Sequence, residues 1–176
     1  MDKGQIWVET VLYTLIGLVL IGIVLALVTP KINETKDRAL VAQSVDSLNA
    51  IDVLVNEVVD KGQGNVRKLY SFSMKKGELI INSSSDKIVL VIDELSKPYS
   101  EPGAEIRIGN IKLVSQQGQD NAVFLELDYS GFANLTYSGD ENLRKFGASS
   151  LPYGFTFENK GIVVGISVVE IREVSR

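Results

Sequence analysis

The run from Ile6 to Thr29 carries one carboxylate, Glu9, and is otherwise apolar or uncharged. Read as a helix at 1.5 Å per residue it is roughly 36 Å long, enough to cross a bilayer with some tilt. Leu12, Leu15, Ile16, Leu18, Val19 and Leu20, with the residues up to Val28, spread apolar surface round the whole helix rather than along one stripe. That is the pattern of a membrane span or of the centre of a helical bundle. A secretory signal peptide has a shorter apolar stretch, about 7–15 residues, with a small-residue cleavage site behind it. Here Thr29-Pro30-Lys31-Ile32-Asn33 follows without a small-x-small pair, so the segment is expected to stay on the chain. Glu9 is the anomaly, because a charge in hydrocarbon costs a few kcal/mol unless something compensates it.

Beyond Pro30 the pattern becomes amphipathic. Val41, Val45, Leu48, Ile51, Val55, Val58 and Val59 recur at three- and four-residue steps with Leu54 on the flank, and Lys36, Asp37, Arg38, Asp46, Asp52, Glu57 and Asp60 form the polar side. This predicts a helix over 30–62 that lays one face on a globular domain. Lys61-Gly62 ends it with a basic last turn and a left-handed cap. Pro30 removes one backbone hydrogen bond and crowds the preceding turn. It either bends one helix or starts a second after a break at Thr29.

From residue 63 to 176 the period drops towards two. Leu69–Ser73 and Glu78–Asn82 are expected to form a hairpin about Lys75-Lys76-Gly77. Lys87–Asp93 reads as a buried strand, and Gly109-Asn110 between Glu105–Ile108 and Ile111–Val114 is a strong hairpin signal. Ala122–Tyr129 and Asn134–Tyr137 alternate as strands, Asp140–Phe146 is expected to be a short helix, and Phe155–Glu158 pairs with Gly161–Ile171 about Asn159-Lys160-Gly161. The expected fold class is α+β: a long apolar helix running into an amphipathic one, packed on an antiparallel β-sheet or β-sandwich of about seven or eight strands. Ser96–Gly103, with two prolines, is an exposed loop.

Composition removes whole classes of function. Of 176 residues none is Cys or His, which excludes thiol nucleophiles, imidazole bases and the usual zinc clusters. A net charge of −4 offers no footprint for nucleic acid. Gly62-Gln63-Gly64 is no phosphate loop. The carboxylates Asp86, Asp93, Glu94, Asp120, Asp140 and Glu141 fall on expected turns without the spacing of a calcium loop, so no catalytic or metal-binding residue and no cofactor is assigned. Tyr129, Tyr137, Tyr153 and Phe155 are either an adhesive patch or strand packing, the latter being common for Tyr.

Lys3-Gly4 before Gln5, with Glu9 four residues on and an uninterrupted apolar helix behind, resembles the class III signal of type IV pilins, particularly the archaeal branch. The resemblance covers roughly the first sixty residues. It implies that a prepilin peptidase cuts between Gly4 and Gln5, removing leader 1–4 and leaving 5–29 as a membrane helix that later enters a filament core. The cut frees an α-amine on Gln5, largely protonated near neutral pH, about one helical turn from Glu9. Buried together the two charges satisfy each other, and between subunits the pair fixes axial register. The absence of cysteine departs from the disulfide loop of many bacterial pilins.

The partners implied are identical subunits, the peptidase, the assembly machinery and, before assembly, the membrane; the location implied is the cell membrane and then a surface filament serving adhesion or attachment. The chain is thus expected to be a structural protein and not an enzyme. Minor pilins and archaellum subunits share the same processing. The rival from another class is a monomeric, signal-anchored binding or sensor module, which needs neither the cut nor Glu9. Lys31, Lys36 and Arg38 beyond the apolar run place the domain in the cytoplasm by the positive-inside rule alone, whereas the resemblance places it outside. Outside, Asn33, Asn82 and Asn134 are candidate N-glycosylation acceptors in Asn-x-Ser/Thr triplets, with Asn82 preferred for its Ser-rich surroundings.

Overall fold

The computed structural model describes residues 3–174, with side chains from Trp7 onward at the N-terminal end. A single helix, α1 (Lys3–Lys61), holds 59 residues, a rod of about 89 Å. Pro30 lies inside it, so the chain does not stop and restart at Thr29. The two halves of the rod differ as their sequences do. From Trp7 to Val28 the large apolar side chains stand exposed, whereas Val41, Val45, Leu48, Ile51, Val55 and Val58 are buried against the domain. Gly62 closes the helix in the left-handed region at φ 81° and donates its N–H to the Val59 carbonyl.

Ten strands follow among the described residues: β1 (Val66–Phe72), β2 (Glu78–Asn82), β3 (Lys87–Leu95), β4 (Glu105–Ile108), β5 (Ile111–Gln116), β6 (Asn121–Asp128), β7 (Ala133–Tyr137), β8 (Leu143–Gly147), β9 (Tyr153–Val163) and β10 (Ile166–Glu173). They make a six-stranded sheet in the order β4-β5-β6-β3-β2-β8 and a four-stranded sheet in the order β1-β9-β10-β7. All pairings are antiparallel except β7 with β10. The helix touches both sheets. Phe146 of β8 meets Phe155 of β9 edge-on at 5.2 Å and also packs on Tyr137 and Tyr153. One apolar core therefore joins α1 to both sheets, the expected α+β arrangement.

The Gly109-Asn110 hairpin forms as its sequence demands, with Ile108 opposite Ile111. Three local expectations do not hold. Lys75-Lys76-Gly77 is no hairpin turn: β1 and β2 belong to different sheets, and the segment crosses between them, tied by the N–H groups of Ser149 and Ala148 to the carbonyls of Met74 and Gly77. Asp140–Phe146 holds β8 rather than a helix; its helix-forming residues are overridden by pairing along β2 from Asn82 opposite Leu143 to Glu78 opposite Gly147. The last hairpin turns at Val164-Gly165, not at Asn159-Lys160-Gly161.

Those three residues form a bulge instead. Gly161 lies opposite Val168 and Asn159 opposite Val169, which leaves Lys160 as the extra residue. Buried Asn159 holds the bulge by accepting from the Gly161 N–H at 2.8 Å. Its amide donates to the Val58 carbonyl at 2.9 Å, occupying an acceptor in the last turn of α1. What the sequence presents as a turn is a device that attaches β9 to the helix end.

Polar links set the domain's direction along the rod. Asp37 accepts from the N–H and hydroxyl of Ser96, Asp52 meets Asn110 and Tyr129, and Val58 meets Asn159. Ser96 therefore lies at the end nearest the apolar segment, and the β9–β10 turn lies at the far end.

Candidate functional site

The apolar half of α1 is the largest uncovered feature of the molecule. It is long and apolar enough to cross a membrane, and none of its most apolar window is buried. Among the large side chains, Trp7 is 70% exposed, Leu18 66% and Leu27 71%. A Cβ added at Gly17 or Gly22 would meet nothing within 4 Å, so both positions are open to close approach by a second helix. Glu9 stands on this rod, and among the described residues its one hydrogen bond is a long one, 3.4 Å from the Tyr13 hydroxyl. The Gln5 side chain and the surroundings of Gly4 lie outside what is described.

The rod is anchored where it meets the domain. The Asp37 carboxylate takes two hydrogen bonds from Ser96, at 2.7 Å from N and 2.5 Å from Oγ. Glu34 lies 3.0 Å from Lys31 and 3.3 Å from Lys97, and Arg38 sits over the Tyr99 ring at 5.8 Å. Below this collar the large side chains described, from Trp7 to Ile32, stand exposed rather than packed on the domain.

Asp52, expected on the solvated side of the helix, is instead only 8% exposed. Its oxygens accept from the Tyr129 hydroxyl at 3.1 Å and the Asn110 amide at 2.8 Å. Burial, then the Asp52 charge, pushes the Tyr129 phenol far above its ordinary value, so it remains the donor. The arrangement pins α1 to the β4–β5 turn and the end of β6. Asp52→Asn keeps the shape but sets an amide N–H₂ against one of two donors, and should cost about 1–3 kcal/mol in chemical denaturation of the full chain.

Beside this node a mixed-charge cleft of about 420 Å³ runs between α1 and the six-stranded sheet. Its ionic groups are engaged with one another: Lys87 lies 2.9 Å from Glu126 and 3.1 Å from Asp128, and Lys112 lies 3.0 Å from Glu105. The cleft is neutralised from within, and no reacting group stands apart in it. Tyr129 and Phe155 belong to the core, and Tyr137 and Tyr153 pack on it, so the four aromatics form no adhesive patch. The turn carboxylates are dispersed, and among the described residues no group of acids is placed to hold a metal ion.

On β9 and β10, Glu170 is held below the ordinary carboxylate value first by Arg172 and then by Lys160, with burial opposing. Asp128 is lowered chiefly by the Ser130 hydroxyl, and Glu105 chiefly by Lys112. An unfolded chain takes up these protons near the ordinary values of 3.8 for Asp and 4.5 for Glu, before the folded chain does. Their stabilisation is complete above about pH 4.5 and drains as pH falls through the lowered values. Thermal unfolding of the full chain in detergent should show Tm falling progressively below about pH 4.5, with a shallower fall in Glu170→Gln.

Among the candidate acceptors, Asn33 is exposed on α1, whereas Asn82 and Asn134 are half-buried on strands. The Ser84 hydroxyl of the preferred triplet already donates to the Glu141 carbonyl at 2.7 Å. Searches for related proteins return no matching family model, no matching curated protein and no matching solved structure.

Proposed function

We propose that the chain is a pilin-like structural subunit, processed between Gly4 and Gln5, whose apolar helix leaves the membrane for the core of a surface filament while its β domain faces outward. The observation that carries this reading is a helix of which one half is locked into a domain and the other half is bare apolar surface. Outside lipid such a surface needs another apolar environment, and a bundle of identical helices supplies one. The motif Lys3-Gly4-Gln5 with Glu9 following supports it as a resemblance.

A tether explains the apolar helix but gives Glu9 no task. In a filament core Glu9 finds its partner in the α-amine that cutting exposes on Gln5. The collar at Asp37 and Glu34 suits the same reading, because it holds the rod at a fixed attitude to the domain. The test is processing coupled to assembly in cells that carry the native machinery. Gly4→Val should leave Met1–Gly4 attached and abolish filaments, read by intact mass and electron microscopy. Normal filaments built from uncut chains would overturn the proposal. A wild-type chain that stays monomeric beside its machinery would replace it with the membrane-tethered module.

A further inference from the structure

We infer that the end of the domain farthest from the apolar helix carries a shallow cleft for one neutral sugar ring, formed by the Ser83–Asp86 turn, β7 and the tip of the β9–β10 hairpin. The cleft encloses about 270 Å³, at the lower edge of the roughly 300–1,000 Å³ of small-molecule sites. That is room for a ring, not a chain.

Part of its polar wall is unengaged. Ser83 is 2% exposed, and its hydroxyl is buried without any hydrogen-bond partner. It is the single buried side-chain polar atom left so among the described residues. A buried hydroxyl in that state costs about 1–3 kcal/mol, a cost removed when the side chain turns to a rotamer that faces the cleft and a bound molecule supplies the bond. Beside it, the Asn134 amide and the Glu141 carboxylate make no hydrogen bond or ion pair among the described residues. Asp86 spends Oδ1 on the Leu135 N–H and has Oδ2 to offer.

The opposite wall is apolar and strained. Val164 is 97% exposed and sits at φ 51°. A β-branched residue is disfavoured there by about 1–2 kcal/mol, and Asn or Gly is the usual choice in such a turn. Val163, 60% exposed, stands beside it.

The chemistry selects the ligand class. Two carboxylates and no cation line the cleft, which repels anions. Carboxylate and amide oxygens accept from ring hydroxyls, the Asn134 amide and Ser83 hydroxyl donate to them, and the valines cover an aliphatic C–H face. In the larger mixed-charge cleft the lysines and carboxylates are instead paired with one another. The inference goes beyond the filament proposal and does not need it, since the cleft is complete within one subunit.

Saturation-transfer NMR on the unassembled full chain in detergent, with glucose, galactose, mannose and N-acetylglucosamine as probes, tests it. At least one neutral sugar should bind in the millimolar range. Asn134→Ala and Glu141→Gln should each weaken binding about tenfold, the effect of one lost hydrogen bond to a polar or charged partner. Lys112→Ala, in the other cleft, should leave binding unchanged. Val164→Asn should raise Tm while weakening sugar binding, which separates the tip's task from its stability. The inference is overturned if no probe gives a signal, if the signal survives Asn134→Ala and Glu141→Gln, if it appears only with added calcium, or if native chains carry a covalent glycan on Asn134 that fills the cleft.

Discussion

Cells making Glu9→Gln in place of the wild-type chain should insert and cut the protein normally and yet bear few or no filaments. The glutamine keeps the size of the side chain and removes its charge. In the membrane this is no handicap, because an ionised carboxylate in hydrocarbon costs about 2.5–3.5 kcal/mol on insertion scales and the amide less. In a dry helical bundle the loss is decisive. The protonated amine at Gln5 then stands without a counter-charge, and breaking one partner of a buried pair costs about 3–5 kcal/mol. Among the described residues Glu9 takes only a long bond from Tyr13, which suits a group whose main partner is the Gln5 amine. Glu9→Leu separates charge from polarity: it should insert at least as well and assemble no better. Wild-type filament numbers by electron microscopy for either variant would refute the pairing.

The largest effect on folding is expected at a glycine. Gly77, where the chain crosses between sheets, has φ 94°, and a Cβ built there overlaps the Val91 carbonyl oxygen. Val91 is held in the sheet between Glu78 and Phe124, and Gly77 directly precedes β2 and accepts from the Ala148 N–H, so neither side moves away freely. Gly77→Ala combines left-handed strain of about 1–2 kcal/mol with overpacking of about 1–3 kcal/mol. For a chain of this size the sum lowers Tm by about 5–15 °C, or prevents folding altogether. Gly103→Ala is the control: φ is 79°, but nothing lies within 4 Å of its added Cβ, so only the strain remains. Equal losses at the two sites in thermal unfolding would show that the contact with Val91 is not what Gly77 protects.

What could be read from the chain depended on how local its cause was. The stripe Val41-Val45-Leu48-Ile51-Val55-Val58-Val59 is a property of helical period alone, and all of it is buried except Val59, which is half-buried against the core. The Gly109-Asn110 turn is equally local. The sheets were harder, because which strands pair is decided across the domain. Lys75-Lys76-Gly77 has the composition of a hairpin turn, but β1 finds its partner in β9, more than eighty residues away in sequence. Asn159-Lys160-Gly161 has turn composition too, and Asn159 uses its amide on the helix end instead.

Asp52 carries its signal in the sequence. It lies four residues after Leu48 and three before Val55, inside the apolar stripe, where a carboxylate must be hydrogen-bonded to be buried. The distal cleft had no comparable signal. Ser83 is far in the chain from Asn134 and Glu141, and their lack of partners among the described residues is a property of the folded surface.

The identity of the first residue of the native protein tests the central proposal most directly. Intact mass and Edman sequencing of chains taken from the cell surface should give Gln5 as the N-terminus, with the apolar helix retained. Chains that begin at Met1, or that begin beyond the apolar run, would contradict processing at Gly4 and with it the pairing of Gln5 and Glu9 on which the filament reading depends.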